Sequence, residues 1–258
     1  MPSAGPTLYA LRRAVADLTP PLPDEEGSRL ISLGIASIDG ALAGGLACGA
    51  LHEIAPAAPV HGGAAMGFTV ALAALALRTR GEAVWIQPDF VATETSALYG
   101  PGLDLMGLPT ERLVILRVPH ARDALWAMEE ALKCRAAGVV VAELASEEVD
   151  LTATRRLALA ARDTGGLGLI LHHDTASHSQ PTTATTRWEV ASAHGERDRF
   201  GGLGPTAFAL SLVKNRRGRT GQWRMSWDHH ERAFVAAASS LPVAPAARDG
   251  SPARVRAG

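Results

Sequence analysis

The strongest constraint on the fold is a set of short, uninterrupted apolar runs separated by segments of helical period. Leu113-Val-Ile-Leu-Arg-Val118, Gly138-Val-Val-Val-Ala142 and Leu167-Gly-Leu-Ile-Leu171 lack the regular polar alternation of a half-exposed strand. Strands of this kind are covered on both faces, which is the situation of a parallel sheet between helical layers. Gly49-Ala-Leu-His-Glu-Ile54 and Val84-Trp-Ile-Gln87 read as two further strands. Between them, residues 65–79, 94–107, 121–137 and 151–162 read as helices, the second interrupted at Gly100-Pro101-Gly102. In the third, Leu125, Met128, Leu132 and Arg135 keep helical register, and Cys134 is expected mid-helix in the core. The class is therefore α/β, with a mostly parallel central sheet covered by helices on both faces.

The pattern changes after His172. Residues 173–204 are rich in Ser, Thr, His and Gly without a period, and are expected to be a long functional loop or partly unstructured. Two strands follow, Thr206–Val213 and Gln222–Trp227, joined by a turn at Arg217-Gly218. Phe208, Leu210 and Leu212 share one face, as do Trp223, Met225 and Trp227, so the sheet is expected to end in an antiparallel hairpin. At the N-terminus, Leu8, Leu11, Val15 and Leu18 recur at helical spacing ahead of the breaks at Pro20, Pro21 and Pro23. Three regions result: an N-terminal helix and Pro-rich linker (1–27), a core (28–235) and a tail of Ala, Pro, Ser and Arg expected to be disordered (236–258). The tethered helix can dock on its own core, on a second copy or on a partner.

Composition narrows the function. At 258 residues with 47% apolar and 20% charged residues, the chain can bury one large core, and a net charge of −1 signals no global affinity for nucleic acid. Cys48 and Cys134 are too few for a disulfide framework or a cysteine zinc site. No secretory leader is recognised, and no apolar run is read as a membrane span. Of the 25 basic residues only Lys133 and Lys214 are lysines.

That last count bears on the glycine loop between the first strand and helix. A nucleotide-binding loop reads G-x4-G-K-[ST], its backbone amides cradling phosphate and its lysine reaching the β- and γ-phosphates. Here the stretch is Gly62-Gly63-Ala-Ala-Met-Gly67-Phe68-Thr69, with phenylalanine in the lysine position. Phenylalanine supplies no charge, and neither lysine lies nearby in sequence. Two readings stay open: a degenerate loop without ATP hydrolysis, or weak ATP binding through backbone amides and Thr69. Carboxylates expected around such a site are Glu143, at a strand end where an acid would hold Mg²⁺ through water, and Asp89, where one would polarise the attacking water. Each has an alternative as a solvated turn or cap residue.

The hairpin turn carries Lys214, Asn215, Arg216, Arg217 and Arg219, with Trp223 and Arg224 following and no acidic residue in the run. Such a segment serves as a solvated turn, a contact for phosphate or DNA, or a surface for a partner protein. His172, His173, Asp174 and His178 do not have the spacing of a closed zinc site, and His229-His230 read as a solvated turn, so no metal is expected. No nucleophilic-hydrolase constellation is present.

The order of these features resembles a known family. Ile31-Ser-Leu-Gly-Ile-Ala-Ser-Ile-Asp-Gly-Ala-Leu-Ala-Gly-Gly-Leu46, followed by the Gly49–Ile54 strand, is similar to the start of the RecA-type ATPase core. Val213-Lys-Asn-Arg-Arg-Gly218 resembles a K-N-R-x-G segment of RadA-type relatives, which reaches toward a neighbouring subunit's nucleotide. Leu98–Leu108, Leu125–Leu132, Gly138–Leu144, Gly166–Leu169 and Thr186-Arg-Trp188 together look like the ImuA family, over residues 28–232. The resemblance implies a RecA-like P-loop NTPase core with a degenerate phosphate loop. It also implies a non-polymerase accessory role in SOS-induced mutagenic translesion synthesis, alongside ImuB, an error-prone DnaE-type polymerase and RecA. A cytoplasmic, DNA-damage-linked location on the nucleoid follows from the same likeness. The contrasting readings are an active RecA-family ATPase in recombination or repair and, as a minor one, a SulA-type inhibitor of cell division.

Overall fold

The computed structural model describes residues 29–95, 97–145, 148–175, 180–195 and 204–236. The expected N-terminal helix and linker, His178, and the tail beyond 236 lie outside the described residues. The elements are β1 (Leu30–Ile31), α1 (Ala36–Ala41), β2 (Leu46–Ala47), β3 (Ala50–Pro56), α2 (Gly62–Leu77), β4 (Glu82–Pro88), α3 (Asp89–Thr95), α4 (Gly100–Leu105) and β5 (Leu113–Val118). They continue with α5 (Ala121–Lys133), β6 (Ala137–Leu144), α6 (Leu151–Thr164), β7 (Leu167–His172), β8 (Thr186–Ser192), β9 (Thr206–Asn215), β10 (Gly221–Asp228) and β11 (Ala233–Ala236).

Nine strands form one sheet in the order β11-β10-β9-β8-β3-β7-β6-β4-β5, and β1 pairs with β2 in a small separate ladder. From β8 to β5 every pairing is parallel. From β8 to β11 every pairing is antiparallel. Helix α2 packs on one face and α5 and α6 on the other, each closing its own apolar cluster. Parallel strands need crossover helices, and these supply both layers.

Helix α2 is apolar all round because it is enclosed all round. The sheet lies on one side of the cluster it joins, and Ile31, Ile38, Leu42, Leu103 and Phe234 contribute from outside the central strands. With its leading 3-10 turn the segment Pro59–Leu77 is long and apolar enough by composition to cross a bilayer, a run that the sequence reading passed over. Here the run is a core helix, with Phe68–Leu77 buried throughout.

Four expectations are corrected. Leu113–Val118 is not covered on both faces, because it is the outermost strand of the sheet and Val114, Ile115 and Leu116 are exposed. Residues 173–204 are not a single loop, because Thr186–Ser192 forms β8 in the middle of the sheet, between β3 and β9. Trp188 and Val190 alternate into the α2 cluster, a period hidden in the sequence by the flanking Ser and Thr. The helix from 121 ends at Lys133, so Cys134 is an exposed residue in extended conformation and not a core one. The helical segment 94–107 is two short helices, α3 ending at Thr95 and α4 beginning at Gly100, so Gly100-Pro101-Gly102 starts a helix instead of interrupting one. Helix α6 ends as its sequence allows: Asp150 caps the start by accepting the Ala153 amide at 2.6 Å, and Gly165 at φ 72° stops the last turn.

Trp188 is fully buried, and its indole N–H donates to Thr186 Oγ1 at 2.9 Å. Trp188→Ala is expected to lower unfolding free energy by about 3–5 kcal/mol in a denaturant titration, with Trp188→Phe costing less.

Candidate functional site

The glycine segment after β3 does not form a loop. A 3-10 turn at Pro59–His61 runs directly into α2, which begins at Gly62. Gly62 itself is right-handed (φ −53°, ψ −43°), and neither Gly63 nor Gly67 is among the residues of positive φ. An anion nest needs successive amides turned inward on one concavity. In α2 the amides from Met66 onward are instead taken up by the helical ladder. Nothing in this geometry requires glycine at 62 or 63, where a Cβ would meet no atom within 4 Å. At Gly67 a Cβ would lie in ordinary contact, 3.5 Å from the Phe208 ring.

Phe68 points into the core. Its ring centroid lies 5.6 Å from Trp188, 5.6 Å from Phe234 and 6.0 Å from Phe208, in tilted and edge-on geometries typical of aromatic clusters. Thr69 is buried as well, and its hydroxyl donates to the Ala65 carbonyl one turn back at 2.8 Å. The side chains at the positions of a phosphate-binding lysine and a metal-binding hydroxyl are therefore both turned into the protein's own interior.

The two candidate carboxylates are engaged separately. Asp89, the first residue of α3, pairs with Arg117 of β5 at 3.2 Å in a half-exposed bridge. Glu143 is fully buried near the C-terminal end of β6. Its Oε1 accepts from the Trp85 indole at 2.6 Å and from Gln87 Nε2 at 3.0 Å, and its Oε2 lies 2.8 Å from His173 Nε2. The acid expected to hold Mg²⁺ through water thus accepts from two donors of β4 through Oε1, while His173 lies close to Oε2 outside hydrogen-bonding geometry. Gln87 and His173 had no assigned part in this site; the signal was their place at the ends of adjacent strands.

A second buried polar cluster lies on the opposite face. Glu53 of β3 accepts from Arg187 Nε at 2.6 Å and from Thr182 Oγ1 at 2.6 Å, while Arg187 also donates to the Gln180 carbonyl at 2.9 Å. His172 Nε2 lies 3.9 Å from Glu53 Oε2. Neighbouring residues at a strand end point to opposite faces. His172 accordingly approaches Glu53 while His173 approaches Glu143. Among the described residues no group of His, Cys, Asp and Glu is placed to hold a metal.

The basic hairpin is largely a clasp. Lys214 is directed at the Thr182 carbonyl, and burial pushes its pKa down to about 8. Asn215 Nδ2 donates to the Ala41 carbonyl at 2.8 Å and to Arg219 O at 3.0 Å, and its Oδ1 accepts the Arg217 amide at 3.0 Å. Arg216 donates through its backbone to Thr185 O at 2.9 Å and through its guanidinium to Thr183 O at 3.3 Å. Gly218 touches the end of α1 so closely that a Cβ would sit 2.1 Å from the Ala41 carbonyl oxygen. Arg219 and Arg224 are exposed.

The chain has relatives among known proteins. It is 33% identical over 216 residues to Protein ImuA of Caulobacter vibrioides, in each of two strains, a match covering 77% of this chain and 85% of that protein. The chain belongs to the ImuA family. Among solved structures, this ImuA-family chain is similar to the RadB recombinase, with a TM-score of 0.53 at 13% identity, over 80% of this chain and 98% of that one. The core is therefore RecA-like. No protein-family profile matches the chain.

Two predictions follow from these contacts. Phe68→Lys places a charge among Trp188, Phe208 and Phe234. It is expected to destabilise the fold by at least about 3 kcal/mol in denaturant unfolding and to leave ATP binding, read by titration calorimetry, no stronger than in the parent protein. The second concerns pH. Burial pushes His52 and His172 down to about 4 from 6.5, so between these values the unfolded chain binds more protons than the native one. Stability is expected to fall as pH drops from 6.5 toward 4, by roughly 2 kcal/mol per histidine by pH 5, and His172→Gln should flatten the profile. Lys214 acts at the other end: with its native pKa about 8 against 10.5, it makes stability rise with pH across that window.

Proposed function

We propose that this ImuA-family chain is a non-polymerase accessory protein of inducible, mutagenic translesion DNA synthesis. In this reading it acts with ImuB, an error-prone DnaE-type polymerase and RecA, and works by binding rather than by hydrolysing ATP. Family membership supports the setting. The observation that carries the binding reading is the continuous α2 helix, in which Gly62–Gly67 are helical and Phe68 fills the core. The other polar groups of an ATPase site have local partners, Asp89 on Arg117 and Glu143 on Trp85 and Gln87. The role requires surfaces held rigidly, and a nine-stranded sheet with two packed faces supplies them.

The hairpin fits this reading as an architectural element. Lys214 and Arg216 are turned to the 182–183 carbonyls, which leaves the exposed Arg219 and Arg224 for any phosphate contact. DNA binding is then weak, salt-dependent and secondary to protein partners.

The test is co-purification of the full-length chain with ImuB and with RecA, beside an ATP-turnover assay on the same preparation. Stable capture of ImuB without ATP turnover is the expected result. Turnover abolished by Thr69→Ala would overturn the non-catalytic reading, and failure to retain ImuB or RecA would overturn the assembly role.

A further inference from the structure

Strand β5 ends the sheet in an unusual way. Among the described residues it pairs with β4 alone, so its outer row of backbone N–H and C=O groups has no described strand beside it. Its centre is also apolar and uncovered: Val114 is 56% exposed, Ile115 48% and Leu116 39%. The register opposite β4 sets Val114 and Leu116 beside Val84 and Ile86, and Ile115 beside Trp85. Successive residues face opposite sides of a sheet, so apolar side chains are exposed on both faces of this edge. A helix laid on one face would leave the other exposed, whereas an added strand covers both at once.

Sheet edges in soluble proteins are normally protected by proline, lysine, a bulge or an inward charge. Residues 113–118 contain no proline, lysine or glycine, and the β4–β5 register runs without a shift. The one charged residue in the strand, Arg117, is paired with Asp89. Arg112, just before it, is directed at the Leu77 and Gly81 carbonyls and lies 3.6 Å from Glu82. The charges at both ends are thus engaged within the chain, and the apolar centre is presented outward.

We propose that β5 is a self-association surface, on which β5 of one copy pairs antiparallel with β5 of a second copy and continues the sheet across a two-fold axis. The strand is complementary to itself in that arrangement. A register centred on Ile115 sets Val114 opposite Leu116, Leu113 opposite Arg117 and Arg112 opposite Val118, so no like charges oppose each other. Pro119 follows directly and stops the pairing at Val118, so with the axis at Ile115 the strand residues that face one another are Leu113–Arg117. A strand of that length alone buries less than a stable dimer needs. Further apolar surface lies beside it. Helix α5, which packs on β4 and β5, carries Trp126 at 63% exposure, and Phe90, next to the Asp89–Arg117 pair, is 72% exposed. The inference rests on the strand alone and is independent of the proposed role in translesion synthesis.

Sedimentation velocity on the full-length chain, from low micromolar concentration upward, tests it. The parent protein is expected to sediment with about twice the monomer mass, and Ile115→Lys to shift to monomer with at least a tenfold loss of association and an unchanged circular dichroism spectrum. A second variant guards against misfolding: Ile115→Cys in a Cys134→Ser background sets two thiols opposite each other across the axis. It is expected to form a covalent dimer under mild oxidation, whereas Leu159→Cys, exposed on α6, does not. A parent protein that stays monomeric throughout overturns the proposal. So does a dimer that Ile115→Lys leaves intact and Ile115→Cys fails to cross-link.

Discussion

The buried pair of Glu53 and Arg187 is the constraint around which the rest of the sheet is arranged. An ionised carboxylate with 1% exposure is tolerated only where its hydrogen-bonding capacity is met. Glu53 meets it with Arg187 from β8 and Thr182 from the chain leading into β8. This holds β8 beside β3 in one register, with Glu53 opposite Arg187 in the ladder. A slip of one residue would turn Arg187 to the other face and bring Trp188 out of the aromatic cluster. The pair also sits where the sheet changes from parallel to antiparallel, so the C-terminal strands hang on the same junction. Lys214, at the end of β9, faces the carbonyl of Thr182, whose hydroxyl binds Glu53. The buried pair therefore sets the position of the strand beside β3 and, through Thr182, bears on the end of β9.

On the opposite face the equivalent task falls to packing. In a RecA-like core the strand–helix junction after β3 is the place for phosphate, and a loop there must keep its amides free and a cation within reach. Here Phe68 joins Trp188, Phe208 and Phe234, and the helix around it runs on from Gly62 without interruption. The two arrangements exclude each other. A ring locked among three aromatic side chains fixes the helix from within, and the helix that starts at Gly62 takes the place of a loop between the two glycines. Glu143 is likewise turned inward, its oxygens facing an indole, an amide and an imidazole.

The sequence revealed the alternating strands, the α2 segment and the loss of lysine at position 68 because each is a local pattern. It did not reveal β8. The alternation of Trp188 and Val190 spans only three residues, and the partner that accounts for Arg187 lies 134 positions away. The hairpin shows a related limit. Composition marks Lys214, Arg216 and Arg219 as equivalent basic residues, but chain direction separates them, two toward the 182–183 carbonyls and one toward solvent. Cys134 was misplaced for a third reason: helical register continues through it, and the turn into β6 overrides that register. The Glu143–His173 approach depends on two strand ends becoming neighbours, which no spacing along the chain encodes.

These features bear jointly on what the molecule can do. A site that opens and closes on a ligand needs elements of low local stability, and at this rim the candidate groups are held instead. Phe68 and Thr69 are enclosed in α2, Glu143 is bound across β4 and β6, and the basic hairpin is fastened to α1 and to the approach of β8. In this RecA-like body Phe68 fills the core at the position of a phosphate-binding lysine. The two ends of the sheet are uneven. At the far end the sheet closes with the four-residue β11, whose Phe234 packs inward onto Phe68 and Trp227. At the near end it stops at β5, six residues long and apolar on both sides. Among the described residues the two ends of one sheet are thus finished differently, the far one by aromatic packing onto the α2 cluster and the near one by exposed apolar side chains.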